Sequence, residues 1–302
     1  MIRNKSLFAA MVLAILLSSC YSSRKAKINE AVNTSRQLQD QEAAAINEIQ
    51  DNLGRQLELG NVDSSILKRV NASLADNRAL MDSIKRTMDD LIAKTVDRKT
   101  LRSSYKTIIK SKLVYLSNDR LLYQQRAVNY GMVADVLKNT KQSQFDLATF
   151  FGPGEFLIPA DKLQQATSAF EPVIDVVIKF AAKYPDLSKN ATIVLKGYAD
   201  AQGVKQGTPL YYRLSNEIPQ VEKPTNTELN LALSKLRTES INEIVNKILQ
   251  KKQPELLQQK IIHVELVQEG RGEEKPNPKI NDYTDNDPRR RIVLFFWSLL
   301  PV

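Results

Sequence analysis
All 12 prolines of this 302-residue chain lie at or after Pro153. Proline breaks helices by removing an amide donor and clashing with the preceding turn. A proline-free run of 152 residues therefore permits long uninterrupted helices, and the proline-bearing remainder demands a different architecture. Within the first part, apolar residues recur at spacings of three and four, the mark of amphipathic helices. The spacing predicts a helix from about Lys27 to Leu57, with Ile28, Leu38, Ile46, Ile49 and Leu53 inward and Gly54 and Gly60 at its end. A second begins with Asp63 or Ser64 as cap and runs to about Thr95 through Ile66, Val70, Leu74, Leu80, Ile84, Met88 and Leu91. A third runs from about Asp97 to Asn139, its expected core including Leu101, Tyr105, Ile108, Ile109, Leu113, Leu116, Leu121 and Leu122. Short breaks between long helices predict a bundle or coiled-coil stalk. Arg98, Arg102, Lys106 and Lys110 form a basic stripe on the third helix. It reads as a solvated face, or as a docking face for lipid phosphates or an acidic partner.

The N-terminus addresses the compartment. Arg3 and Lys5 precede an apolar run, Leu7 to Leu17, that is too short to span a bilayer. Leu17-Ser18-Ser19-Cys20 follows and resembles a bacterial lipobox. That resemblance implies a signal peptide over 1–19, acylation of Cys20 and a lipid anchor; the other reading is a plain signal peptide with an incidental cysteine. Cys20 is the only cysteine, so no intrachain disulfide forms. Residues 20–26 read as a polar, basic tether lacking both an Asp after the Cys and an acidic cluster. These absences favour an outer-membrane lipoprotein facing the periplasm. The net charge of +9 becomes +7 once Arg3 and Lys5 are removed with the signal. Such a charge suits attraction to anionic envelope polymers or lipid phosphates. With a secretion signal and no basic-aromatic motif, no nucleic-acid partner is expected.

The second part reads as βαβαββ: a strand near Phe150–Phe156, a helix from Asp161 to Lys183, and a strand from Thr192 to Tyr198. A helix from about Thr227 to Lys251 and strands Ile261–Val267 and Arg291–Trp297 complete it. This order predicts an α+β sandwich with helices on one face of a small mixed sheet. Four motifs punctuate it in order: Gly197-Tyr198-Ala199-Asp200; Asn230 through Leu233 and Ser234 to Arg237; Gly270-Arg271-Gly272-Glu273 with Pro276; and Arg289-Arg290-Arg291-Ile292. An Asp closing a strand and an Arg in the first turns of the next helix can present a carboxylate and a guanidinium to one pocket, suited to a zwitterion. The bland alternative is a structural salt bridge.

Taken together, the four motifs resemble the OmpA-like peptidoglycan-binding domain, over roughly residues 145–298. With the N-terminal and periodicity readings, the resemblance divides the chain into a signal (1–19), a tether (20–26), a helical bundle (27–144) and the binding domain (145–302). It implies that Asp200 and Arg237 bind the diaminopimelate residue of the peptidoglycan stem, the Asp taking the ammonium and the Arg a carboxylate. It places Leu233 beside the ligand, Asn230 at the start of the helix in a capping role, Gly197 as support, and Arg290 or Arg291 at the pocket edge. Two departures stand out: Arg289 where the family carries Asn, and an insertion, 204–229, containing Tyr211-Tyr212-Arg213. The insertion reads as a lid or selectivity loop, or as a surface segment packed by its own tyrosines.

An enzyme is not expected. The single histidine, His263, falls in an alternating strand and reads as half-buried, no phosphate loop is visible, and no cofactor or metal is called for. The reading is a non-catalytic lipoprotein that anchors the envelope to the wall. Its rival is a scaffold whose helical region binds other envelope proteins, with weak or no peptidoglycan binding.

Overall fold
The computed structural model describes residues 21–152 and 154–302; the signal segment 1–19 and the Cys20 attachment lie outside the described residues. The proline-free part is helical: α1 (Arg3–Glu58), α2 (Ser64–Lys94), α3 (Arg98–Ser104), a π-helical turn over Tyr105–Ile109, and α4 (Lys110–Asn139). Residues 21–26, expected as a tether, are helical within α1. Gly60 takes a positive φ of 74° after α1, and Asp63 opens α2 by accepting the Ser65 amide at 2.7 Å. Asp97 caps α3 through the Lys99 and Thr100 amides. Such carboxylates satisfy amides left free in a first turn. Among the described residues, no helix is long and apolar enough to cross a membrane.

The chain forms two compact units, Met1–Gln50 with Val70–Gly131, and Asp51–Arg69 with Met132–Val302. In the first, Ile28 and Val32 of α1, Ile84, Met88 and Leu91 of α2, and Leu101, Ile109 and Leu116 bury together. Ile108, Leu121 and Leu122, expected in this core, are exposed instead. The buried face of α4 is partly ionic. Arg126 reaches Glu42 at 2.8 Å and Asp119 at 2.7 Å, and the Tyr130 hydroxyl donates to Glu42 at 2.6 Å. Burial opposes the Arg126 charge, but its hydrogen bonds to Glu42 and Asp119 hold its pKa above the ordinary value.

The second unit carries β1 (Ser143–Asp146), α5 (Leu163–Ala181), β2 (Lys189–Gly197), α6 (Pro209–Glu217), α7 (Asn226–Lys251), α8 (Gln253–Gln258), β3 (Ile261–Gly270) and β4 (Ile292–Pro301). The sheet order is β1-β4-β2-β3. β2 pairs parallel with β3, and the other two pairings are antiparallel. The mixed α+β architecture follows the expected element order. Phe170, Ile174 and Val177 of α5 and Ile241, Val245 and Ile248 of α7 cover one face, meeting Ile193, Leu195, Phe295 and Trp297. Phe145, Phe170 and Phe295 form a mutual cluster with centroids 5.1 Å apart.

Strand alternation sends Val194, Lys196, Leu294 and Phe296 to the opposite face, where they are also buried. Residues 51–69 meet that face. Val62 and Asp63 share a cleft with Lys196, Leu294 and Phe296, Lys196 pairs with Asp63, and Arg69 pairs with Glu265 at 2.6 Å.

The first strand is not the Phe150–Phe156 run but Ser143–Asp146. Gly152 and Gly154 flank Pro153 in that run, and such residues favour turns over strands. Phe150 and Phe151 are buried from a loop. His263 is exposed rather than half-buried, because β3 is an edge strand whose register slips beside it.

Candidate functional site
Where β2 ends, the backbone is pinned on both sides. The Tyr198 amide donates to Ile292 O at 2.9 Å, Ala199 to Gly272 O at 2.7 Å, Ala201 to Asp285 O at 2.8 Å, and Arg271 to Gly197 O at 2.8 Å. Asp200 is thus held between fixed neighbours at the mouth of the sheet. Gly197 is required by contact, since a Cβ there would lie 2.2 Å from Thr238 Oγ1 of α7. Gly270 is required more strictly: its Cβ would meet the Lys235 backbone nitrogen at 2.5 Å. The two glycines let α7 press against the strand ends, which brings Arg237 toward Asp200.

Arg237 lies three turns into α7 and is 7% exposed. Its Nε donates to Glu155 O at 2.9 Å, and its guanidinium carbon sits 5.5 Å from the Phe151 ring centroid. Burial pushes its pKa down to about 10, with Asp200 opposing and Arg291 adding to the shift. It therefore remains charged at neutral pH. Arg237 forms no ion pair among the described residues. The segment first read as a strand is the loop that seats it. Phe151 and Glu155 were missed as site residues; the Gly-Pro-Gly turn signature was the available signal.

Asp200 pairs with Arg291, its oxygen 3.5 Å from Arg291 Nε. That contact is an ion pair without a hydrogen bond: Arg291 Nε is buried with no hydrogen-bond partner. Asp200, Arg237 and Arg291 thus converge from a strand end, a helix and the start of β4. The arrangement offers one carboxylate and two guanidiniums, with donor capacity left unused.

The remaining expected residues are supports. Asn230 does not cap α7. Thr225 does, in a capping box with Glu228, one turn earlier. Asn230 is buried and donates to Gln202 O at 3.1 Å and Glu273 Oε1 at 2.8 Å, tying the loop after Asp200 to the Gly270–Glu273 turn. Ser234 Oγ accepts the Gly272 amide at 2.8 Å. Arg290 is buried and donates to Glu273 O and Thr284 O, bracing the same loop. Arg289 is held by Asp287 and Asp282. Leu233 is buried with Leu214, Leu229 and Ala232, against Tyr211 and Leu236. Leu214 comes from α6, so the 204–229 insertion contains a short helix whose Leu214 packs against the first turns of α7. Tyr212 stays exposed. Among the described residues, no His, Cys, Asp and Glu side chains gather as a metal site requires.

No protein-family model matches the chain, and no curated protein matches it. Solved structures similar to it include the periplasmic domain of Helicobacter pylori MotB, at 15% identity and a TM-score of 0.29, over 52% of this chain and 74% of that one. A putative MotB-like protein from Desulfovibrio vulgaris matches at 16% identity and 0.29, over 52% and 72%. A further MotB periplasmic domain matches at 16% and 0.28, over 52% and 62%.

Proposed function
We propose that this is a non-catalytic envelope protein whose mixed domain binds the diaminopimelate-containing stem of peptidoglycan. Acylated Cys20 holds it to the outer membrane, facing the periplasm. The observation that carries the reading is Arg237: a charged guanidinium, buried, with the Asp200 carboxylate near enough to favour its charge but no direct ion pair, placed where Asp200 and Arg291 converge. A buried charge without a direct ion pair is costly, and a ligand carboxylate lowers that cost. Diaminopimelate carries an ammonium and a carboxylate on one carbon. Asp200 suits the first, and Arg237 with Arg291 suits the second.

Each charge-assisted contact contributes about 1.5–3 kcal/mol, so single-stem affinity is modest. The polymer's many stems and a nearby anchor raise the effective concentration. Titration calorimetry with a diaminopimelate tripeptide and its lysine counterpart, which lacks the side-chain carboxylate, tests the assignment. Loss of that contact weakens binding by about 10- to 150-fold. Equal affinity for the two peptides contradicts it.

One observation favours the scaffold alternative. Asp200 is already paired with Arg291, as in a structural clamp on the strand ends. In that reading neither peptide binds, and the helical region carries the interactions.

A further inference from the structure
The first unit gathers positive charge from two segments distant in sequence. Arg24 of α1 lies over the Tyr105 ring at 4.4 Å, and Arg98 of α3 lies near the Tyr21 ring at 5.9 Å. Tyr21 and Tyr105 both pack on the core formed by Ile28, Leu101 and Ile109. Residues 21–29 and 96–106 are therefore neighbours. Between them they hold seven basic residues, namely Arg24, Lys25, Lys27, Arg98, Lys99, Arg102 and Lys106, against Asp97 alone. None of the seven forms an ion pair among the described residues. Asp97 is engaged in capping α3. At the turn before α3, Val96 is 80% exposed.

The geometry points to a docking surface for a bilayer carrying anionic lipid headgroups. Lys and Arg without ion pairs, beside half-buried tyrosines and one projecting apolar side chain, match the chemistry of the membrane interface: phosphates for the cations, the headgroup level for the rings, and the acyl boundary for Val96. The choice of a lipid surface over an acidic protein rests on the proposed attachment at Cys20, because Tyr21 is the next residue in the chain. The anchor then brings this patch to the bilayer, and the patch supplies a second, charge-dependent attachment that salt weakens.

The test is hydrogen exchange on the full chain in vesicles of phosphatidylcholine alone, or of phosphatidylcholine and phosphatidylglycerol in equal parts. Amides of 96–106 should exchange about tenfold more slowly on the mixed vesicles, and added salt should reverse the effect. Arg98→Gln/Lys99→Gln/Arg102→Gln should abolish the difference, while the amides around Ile84–Leu91 report that the bundle is intact. Equal exchange on the two vesicle types, with the chain retained on both, overturns the inference. A wild-type chain that washes off phosphatidylcholine but stays on the mixed vesicles contradicts the Cys20 anchor and leaves the patch standing. Loss from both overturns both.

Discussion
Replacing Arg126 with Met tests whether an ionic network holds the helical bundle together. Glu42 and Asp119 have side chains 1% and 7% exposed, and Arg126 is 12% exposed between them. Removing the guanidinium strands two carboxylates in a region with little water. Breaking a buried pair by deleting one partner costs about 3–5 kcal/mol. With a urea slope of about 2 kcal/mol/M, the unfolding midpoint falls by about 2 M. The two units need separate probes, because one ΔG does not describe a multi-unit chain that departs from two-state unfolding. Trp297 is the only tryptophan and lies in the sheet core, so its fluorescence reports the mixed unit while far-UV circular dichroism weights the helices. Arg126→Met should lower the dichroism midpoint and leave the fluorescence midpoint in place. Adding Glu42→Gln removes one of the stranded charges, so the double variant should cost about 1–3 kcal/mol less than the sum of the singles. A midpoint unchanged by Arg126→Met, or strictly additive costs, would refute the network as a structural element.

Two further predictions concern the sheet. Lys196→Met leaves the buried Asp63 without its ammonium partner and should cost about 3–5 kcal/mol in the Trp297 transition. In the wild type, burial raises the Asp63 pKa, but hydrogen bonds from Lys196 and Ser65 outweigh it and hold the pKa below the ordinary 3.8. A folded-state pKa below the unfolded one stabilises at neutral pH, and the contribution is lost as pH falls below that ordinary value. Acid titration of the Trp297 transition should show this loss in the wild type and not in Lys196→Met. Gly270→Ala sets a methyl against the Lys235 backbone, which no rotamer change relieves. It should lower stability by about 1–3 kcal/mol, read by thermal melting, whereas a neutral result would mean that α7 does not press on the strand end.

Much of this architecture was legible because it is written in local chemistry. Caps and breakers placed the α1–α2 turn at Gly60 and Asp63, and β2 and β4 announced themselves by apolar residues in series. β1 was not legible. Its four residues, Ser143 to Asp146, carry one large apolar side chain, Phe145, and owe their strand state to pairing with β4. The inward face of α4 was misread for a related reason. Periodicity rewards leucine and so points to Leu121 and Leu122, whereas Asp119 and Arg126 lie on the buried face in an ion network with Glu42. The π-turn at Tyr105–Ile109 also shifts the helical phase there, and no residue in it signals this. Around the candidate site, the motifs named Asp200, Arg237 and Arg291, which the fold brings near one another. They did not reveal that Asn230 and Arg290 brace loops, or that the Glu155 carbonyl seats Arg237, since those contacts join segments far apart in sequence.

The proposed wall binding runs through Asp200 and Arg237. Its most direct test is co-sedimentation of residues 21–302 with purified diaminopimelate-type peptidoglycan, beside Asp200→Ala/Arg237→Ala, with circular dichroism and Trp297 fluorescence confirming that both are folded. The wild type should pellet with the wall and the folded double variant should stay in solution. Equal pelleting of the two, or none by either, would contradict the assignment.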